Sequence, residues 1–212
     1  MGHVTRDIAW CEIDIDTTNR VIFLQQRWLY NWIVAPGQTA WTATERRDFH
    51  NAADRLVWQY WSGRAFLRAR GTSQVARTPG NYVVNWDIRW VTSNQHWTVT
   101  VQKIAPSAQV TSSVRWNART ISLDTNDINP RTVSTSRPTN RQYPVAHEFG
   151  HSAGNTAVLG RGDEYPASSP HNSDFRSMMN QGSELRTRHF DTIIGELNTM
   201  IPNTTFQVAV IR

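Results

Sequence analysis

The chain is poor in cysteine, in lysine and in long apolar runs. Cys11 is the single cysteine in 212 residues, which excludes an internal disulfide. It lies in an apolar stretch and reads as a small buried hydrophobe, with a catalytic thiol as the weaker reading. No stretch reaches the ~18 apolar residues that a spanning helix needs, so no membrane span is expected. The first residues, Met1-Gly2-His3-Val4-Thr5-Arg6, lack the basic start and apolar run of a secretory signal. Arg6 stands where a myristoylation motif has Ser or Thr. The expectation is a chain made without a signal peptide, or a piece of a larger protein.

Lys103 is the only lysine among 22 basic residues, the rest being arginine, and the net charge is +5. Such a balance admits a nucleic-acid partner. The arginines, however, are spread along the chain with no block of five or six. They read as a solvated surface, and no nucleic-acid partner is expected. Tryptophan is absent after Trp116, although the chain has ten. The first part therefore supplies the aromatic core, and the second carries the chemistry.

What is present fits one domain over residues 1–212. Cys11, Ile13 and Ile15 alternate with Glu12, Asp14 and Asp16, a half-buried strand. Residues 21–34 are ambiguous between strand and helix and end at the Pro36-Gly37 turn. Thr42 and Glu45 form a capping box, and the apolar stripe from Phe49 to Tyr60 predicts a helix over about residues 43–62. His50, beside that stripe, reads as structural. Residues 71–80 read as a loop. Tyr82 to Trp90 and Trp97 to Val101 alternate as two strands, read as a hairpin about Ser93-Asn94, with His96 a turn residue. One or two more strands follow between Val114 and Leu123. Residues 124–140 are polar and read as a long surface loop bordering the cleft. Pro144 suits the first turn of a helix and Gly154 the left-handed position past its end. Thr187 is a candidate cap for a last helix carrying Phe190, Ile193, Ile194, Leu197 and Ile201. Pro202 stops it, and Phe206, Val208 and Val210 suggest a terminal strand.

The chemistry centres on His147-Glu148-Phe149-Gly150-His151. Residues four apart share one helix face, so two imidazoles can bind one Zn²⁺ while Glu148 between them reaches a water. Gly162-Asp163-Glu164-Tyr165 and Ser177-Met178-Met179-Asn180 follow at short distance.

This order resembles the zincin metallopeptidases, and metzincin-like ones in particular. Residues 147–154 match the start of their signature, and residues 177–180 look like their Met-turn. Where the third metzincin ligand is expected, this chain has Ala157, which cannot bind metal. The later Asp-Glu-Tyr is similar to smaller families with H-E-x-x-H, a spacer and D-E-Y. These include secreted bacterial peptidases of the IgA-peptidase-like kind and metallopeptidase toxin domains of type VI secretion spike proteins. Residues 183–190 also look like the latter.

The resemblance implies an α+β, zincin-like single domain. It would have a twisted, mostly antiparallel-edged sheet and a backing helix in residues 1–124, and a metal-binding catalytic part in residues 141–201. His147 and His151 would bind Zn²⁺. Glu164 is the first choice for third ligand and Asp163 the second, with His171, His189 and Glu184 as further alternatives. Glu148 would be the general base. Tyr165 and His189 are the candidate donors to the charge that develops on the substrate. Met179, or else Met178, would floor the metal. The implied function is a zinc endopeptidase acting on proteins or peptides, a bacterial effector made in the cytoplasm and secreted or injected. A secretion-apparatus carrier and an immunity protein would be its partners. The alternatives are an inactive zincin-like module that binds protein through Trp-rich surfaces, and a basic nucleic-acid-binding domain.

Overall fold

The computed structural model describes residues 2–133 and 140–212. Its axis is β3 (Val21–Val34), the segment whose periodicity was ambiguous. Ile22, Leu24, Gln26 and Trp28 point alternately into the core, the mark of a strand. β1 (His3–Ile8) and β2 (Cys11–Asp16) form an antiparallel pair, and β2 pairs antiparallel with the first half of β3.

β5 (Asn81–Trp90) and β6 (Trp97–Lys103) are the two strands expected as a hairpin, and here the structure corrects the sequence reading. They do not pair with each other. They flank β3 on opposite sides, both parallel to it, with Trp28 opposite Trp90 on one side and Trp97 on the other. The connection crosses β3 between them. Val91 N–H donates to Trp28 O (2.9 Å), and His96 N–H donates to Arg27 O (2.9 Å). His96 Nδ1 accepts from Arg27 N at 2.9 Å, so His96 is a structural residue of the crossing. Alternation identifies a strand but not its partner, and a six-residue link can cross a strand as well as fold back along it.

β4 (Ala65–Gly71), β7 (Ser113–Arg115), β8 (Thr120–Asp124) and β11 (Thr204–Ile211) complete a nine-stranded mixed sheet in the order β11-β4-β5-β3-β6-β8-β7, with β2 and β1 attached at β3. Its centre is parallel and its margins are antiparallel. β9 (Arg131–Val133) and β10 (Asn140–Gln142) form a separate small ladder. The expected surface loop is thus partly structured. Asp124 and Asp127 are fully buried, while residues 134–139 lie outside the described residues. The loop at residues 71–80 contains a one-turn helix, α2 (Gln74–Arg77).

One face of the sheet is covered by α1 (Ala43–Trp61) and α3 (Pro144–Ser152). The α1 capping box forms as read: Glu45 N–H donates to Thr42 Oγ1 (3.2 Å), and Thr42 N–H to Glu45 Oε2 (2.8 Å). Seven tryptophans are buried, among them Trp61 and Trp86, which pack on Phe149 of α3 at 5.5 and 5.4 Å between ring centroids. Trp61 Nε1–H donates to Ala146 O (3.0 Å), and buried Gln26 of β3 donates to Ser152 O (2.9 Å). Helix α1 and the sheet thereby each hold the α3 backbone, α1 near its start and β3 at its end. α4 (Asp191–Leu197) is entered through a 3-10 turn over Thr187–Phe190, so Thr187 begins that turn and does not cap the helix. The result is a mixed α/β domain with one contiguous core, a large sheet and few helices. Among the described residues, no helix is long and apolar enough to cross a membrane.

Candidate metal centre

Pro144 opens α3 at its first turn, where a missing N–H costs nothing. One turn apart, His147 and His151 project from the same face, with ring centroids 4.9 Å apart. Each ring is oriented by a backbone carbonyl. His147 Nδ1–H donates to Met178 O (2.7 Å), and His151 Nδ1–H donates to Asn155 O (2.6 Å). A carbonyl can only accept, so both protons sit on Nδ1 and both Nε2 lone pairs face outward. They converge on one carboxylate oxygen, Asp163 Oδ1, at 3.0 and 3.2 Å.

Three acceptor atoms facing one another repel unless a cation lies among them. A proton or a metal ion meets that need, and the three atoms lie within 4.8 Å of one another, a spacing that can hold a metal ion. The ionisation preferences express the same demand. Burial opposes ionisation of Asp163, yet the His147 and His151 rings, when protonated, hold its carboxyl far below the ordinary range. Burial lowers His151, but Asp163 and Glu148 raise it overall.

Glu148 points to the same place from the same helix and is 7% exposed. Its Oε2 is buried without a hydrogen-bond partner among the described residues. Burial raises its carboxyl, against the lowering effect of the two histidines. An orphaned carboxylate oxygen beside a cation site is suited to hold and move a proton.

Asp163 and Glu164, the two candidates for third ligand, are separated plainly. Asp163 is brought to the imidazoles. Glu164 turns the other way, 6% exposed, and accepts two hydrogen bonds from Arg188, at 2.6 and 2.9 Å. Its N–H donates to Met179 O at 2.8 Å. Burial opposes its ionisation, and Arg188 and His189 more than offset this. Arg188 and Arg186 also share Asp174, at 2.7 Å each, so an alternating chain of charges clamps the loop that carries Asp163 and Glu164 to the start of the last helical segment. Glu164 is therefore an anchor for the loop that presents Asp163.

Tyr165 lies at the cleft, half exposed, and its O–H donates to Asp163 Oδ2 (2.9 Å). Burial and Asp163 push it up to about 12. His189 is set apart from the cleft. It is 3% exposed, packs on Trp61 at 6.3 Å, and accepts from Arg186 N–H at Nδ1 (3.1 Å). Its other nitrogen lies 3.2 Å from Ser177 Oγ and 3.5 Å from Glu164. The 3-10 turn buries His189 together with Phe190, which removes it from reach of a substrate. His171 and Glu184 do not belong to the donor cluster either.

The two methionines divide their work. Met178 supplies the carbonyl that orients His147, whereas Met179 places its side chain beneath α3. A Cβ on Gly150 would lie 2.5 Å from Met179 Sδ and 2.8 Å from the Trp61 ring, so glycine permits the close approach. Gly154 adopts φ +102° and ends the helix as expected. Residues not singled out from sequence hold this frame. Gln142 donates to the carbonyls of Met178 (2.9 Å), Asn180 (3.3 Å) and Gly182 (2.8 Å). Asn155 ties Gly150 O to His189 O at 3.0 and 3.1 Å. Bonds to main-chain carbonyls leave no trace in residue spacing.

The centre opens into a cleft of about 220 Å³ that is walled by Ser112, Ser113 and Val114 opposite Glu148, His151 and Tyr165. Ser113 and Val114 belong to β7, the last strand on that side of the sheet. A roomier cleft of about 550 Å³ lies behind the 160–171 loop. Its cations Arg161 and Arg188 are already paired with Asp191 and Glu164, so the reactive groups belong to the smaller space. Comparison with family models, with curated proteins and with solved structures finds no match for this chain.

Proposed function

We propose that the chain is a zinc-dependent metalloendopeptidase with a zincin-like arrangement. The observation that carries this reading is the convergence of the His147 and His151 Nε2 atoms on Asp163 Oδ1 beside the unpartnered Oε2 of Glu148. Two imidazoles and a carboxylate suit Zn²⁺ and leave a coordination position open. When bound there, Zn²⁺ would supply Lewis acidity that makes a water nucleophilic at neutral pH and polarises a carbonyl.

The chain's own groups then perform the proton work. Glu148 takes the proton of the attacking water and delivers it to the leaving amine. Its buried position keeps its proton affinity above that of an ordinary carboxylate, which suits the second transfer. Tyr165 is the one candidate donor at the cleft. By leaving Asp163 Oδ2 it can turn its O–H toward the charge that develops on the substrate carbonyl. Main-chain groups along β7 can take an extended peptide as an added strand, which fits a protein substrate.

In the wider proposal the chain is a bacterial effector secreted or injected by a carrier apparatus, with an immunity protein as antagonist. The test is hydrolysis of unfolded casein by zinc-loaded protein, with Glu148→Gln as the control that keeps metal. Cleavage by wild type and its loss by at least ~10³-fold in the variant is the expected result. Equal rates in both would assign the cleavage to a contaminant.

A further inference from the structure

Glu148 is reached from two sides. The second side is a cleft of about 500 Å³ that meets the first at Ser112, His147 and Glu148 and extends to Val110, Arg131 and Gln142. A peptide lying along β7 past Glu148 enters this space with the residues on one side of the bond being cut. Among the described residues, Arg131 is the only guanidinium or ammonium on its wall. One of its terminal nitrogens, NH2, is held by Asp127 Oδ1 (2.7 Å) and Asp124 Oδ2 (3.2 Å), both fully buried carboxylates. Neither of its other two nitrogens, Nε and NH1, has a hydrogen-bond partner among the described residues, and the side chain is 28% exposed. Gln142, its neighbour in the wall, has its amide nitrogen committed to three backbone carbonyls. Arg131 is therefore the strong donor left to that side of the cleft. With NH2 held by the two aspartates, NH1 keeps its N–H donors, and a charged N–H suits a carboxylate oxygen in charge and hydrogen bonding.

We propose that Arg131 determines specificity by binding a substrate carboxylate beside the scissile bond, either an Asp or Glu side chain or the terminal carboxylate of the peptide. This rests on the peptidase reading above. Asp124 and Asp127 offset the charge of Arg131, so selection comes from the directed hydrogen bond of NH1 and not from a net positive field. Sensitivity to salt is accordingly weak.

The test is a peptide library digested by the zinc-loaded wild type and by Arg131→Lys, read by mass spectrometry. Matched peptides follow, with Glu or Gln at the selected position and with a free or amidated C-terminus. Their binding to zinc-loaded Glu148→Gln is read by fluorescence anisotropy. Arg131→Lys keeps the charge that the two buried aspartates require, and a melting curve checks that it folds. Wild type is expected to favour the carboxylate peptide by ~10-fold or more, as for a hydrogen bond between charged groups. The preference shrinks in Arg131→Lys. The Glu/Gln arm and the acid/amide arm report which carboxylate is read. Equal cleavage and equal binding of the matched peptides would overturn the role of Arg131 and leave the peptidase reading standing. Absence of hydrolysis of every peptide would overturn both.

Discussion

His147 Nδ1 and the carbonyl oxygen of Met178 are 2.7 Å apart, a hydrogen bond that joins α3 to the turn beneath it. The bond fixes which nitrogen of His147 carries the proton, and so which lone pair is offered to a metal. The Met178 carbonyl is in turn held by Gln142. Replacing Gln142 with Leu removes a donor from three buried carbonyls, of which that of Met178 keeps His147. The expected cost is about 1–3 kcal/mol of stability and roughly 10–100-fold in zinc affinity, the range for loss of an outer support of a ligand. Chemical denaturation and competition with a zinc chelator check the two effects separately.

Asp163 and Glu164 are adjacent acids with opposite duties, and their amide variants separate them. Asp163→Asn removes the carboxylate that faces both imidazoles and should abolish tight zinc binding with little loss of fold. Glu164→Gln breaks a buried pair with Arg188. It should lower stability by about 2–4 kcal/mol while zinc still binds. Calorimetric titration with zinc, beside melting curves, decides. Tight binding in Asp163→Asn together with none in a folded Glu164→Gln would reverse the assignment.

Gly150→Ala tests the packing under the helix. Alanine is the better helix former by ~1 kcal/mol, yet its Cβ would meet Met179 Sδ and the Trp61 ring. Overpacking should win, with a net loss of about 1–3 kcal/mol and a Tm lower by several degrees. A Tm equal to or above wild type would show that this contact is loose.

Two aspartates give stability opposite pH dependences. The Asp174 carboxyl is held at about 2, chiefly by its hydrogen bond with Arg186. Its folded value lies below the unfolded one, near 3.9. Its contribution is present above pH ~4 and is lost as pH falls toward 2. Burial raises Asp127 to about 6, so the folded state holds a proton that the unfolded chain has released. Its contribution is full below pH ~4 and is lost as pH rises through 6. The stability advantage of wild type over Asp127→Asn should therefore shrink between pH 4 and 6, and that over Asp174→Asn between pH 4 and 2. Denaturation midpoints across this range give the slopes, and equal slopes in wild type and variants would contradict the assignment.

Much of the site was legible in the sequence because it rests on a helical spacing. His147 and His151 must share a face, with Glu148 beside them, once Pro144 and Gly154 bound the helix, and Thr42 with Glu45 announces α1 equally directly. The choice between Asp163 and Glu164 was not legible. Neighbouring side chains in a loop leave in different directions, and the partner that draws Glu164 away is Arg188, 24 positions on. The burial of His189 depends on Trp61, far earlier in the chain. In the fold, alternation revealed β5 and β6 but could not say that both pair with β3, since parallel partners are set by the path of the connection.

The most direct test of the account is zinc content after reconstitution and dialysis, measured by atomic emission on wild type, His147→Ala, Asp163→Asn and Glu148→Ala. The account predicts about one zinc per chain in wild type and in Glu148→Ala, and almost none in the other two. A folded wild type that retains no zinc would contradict it.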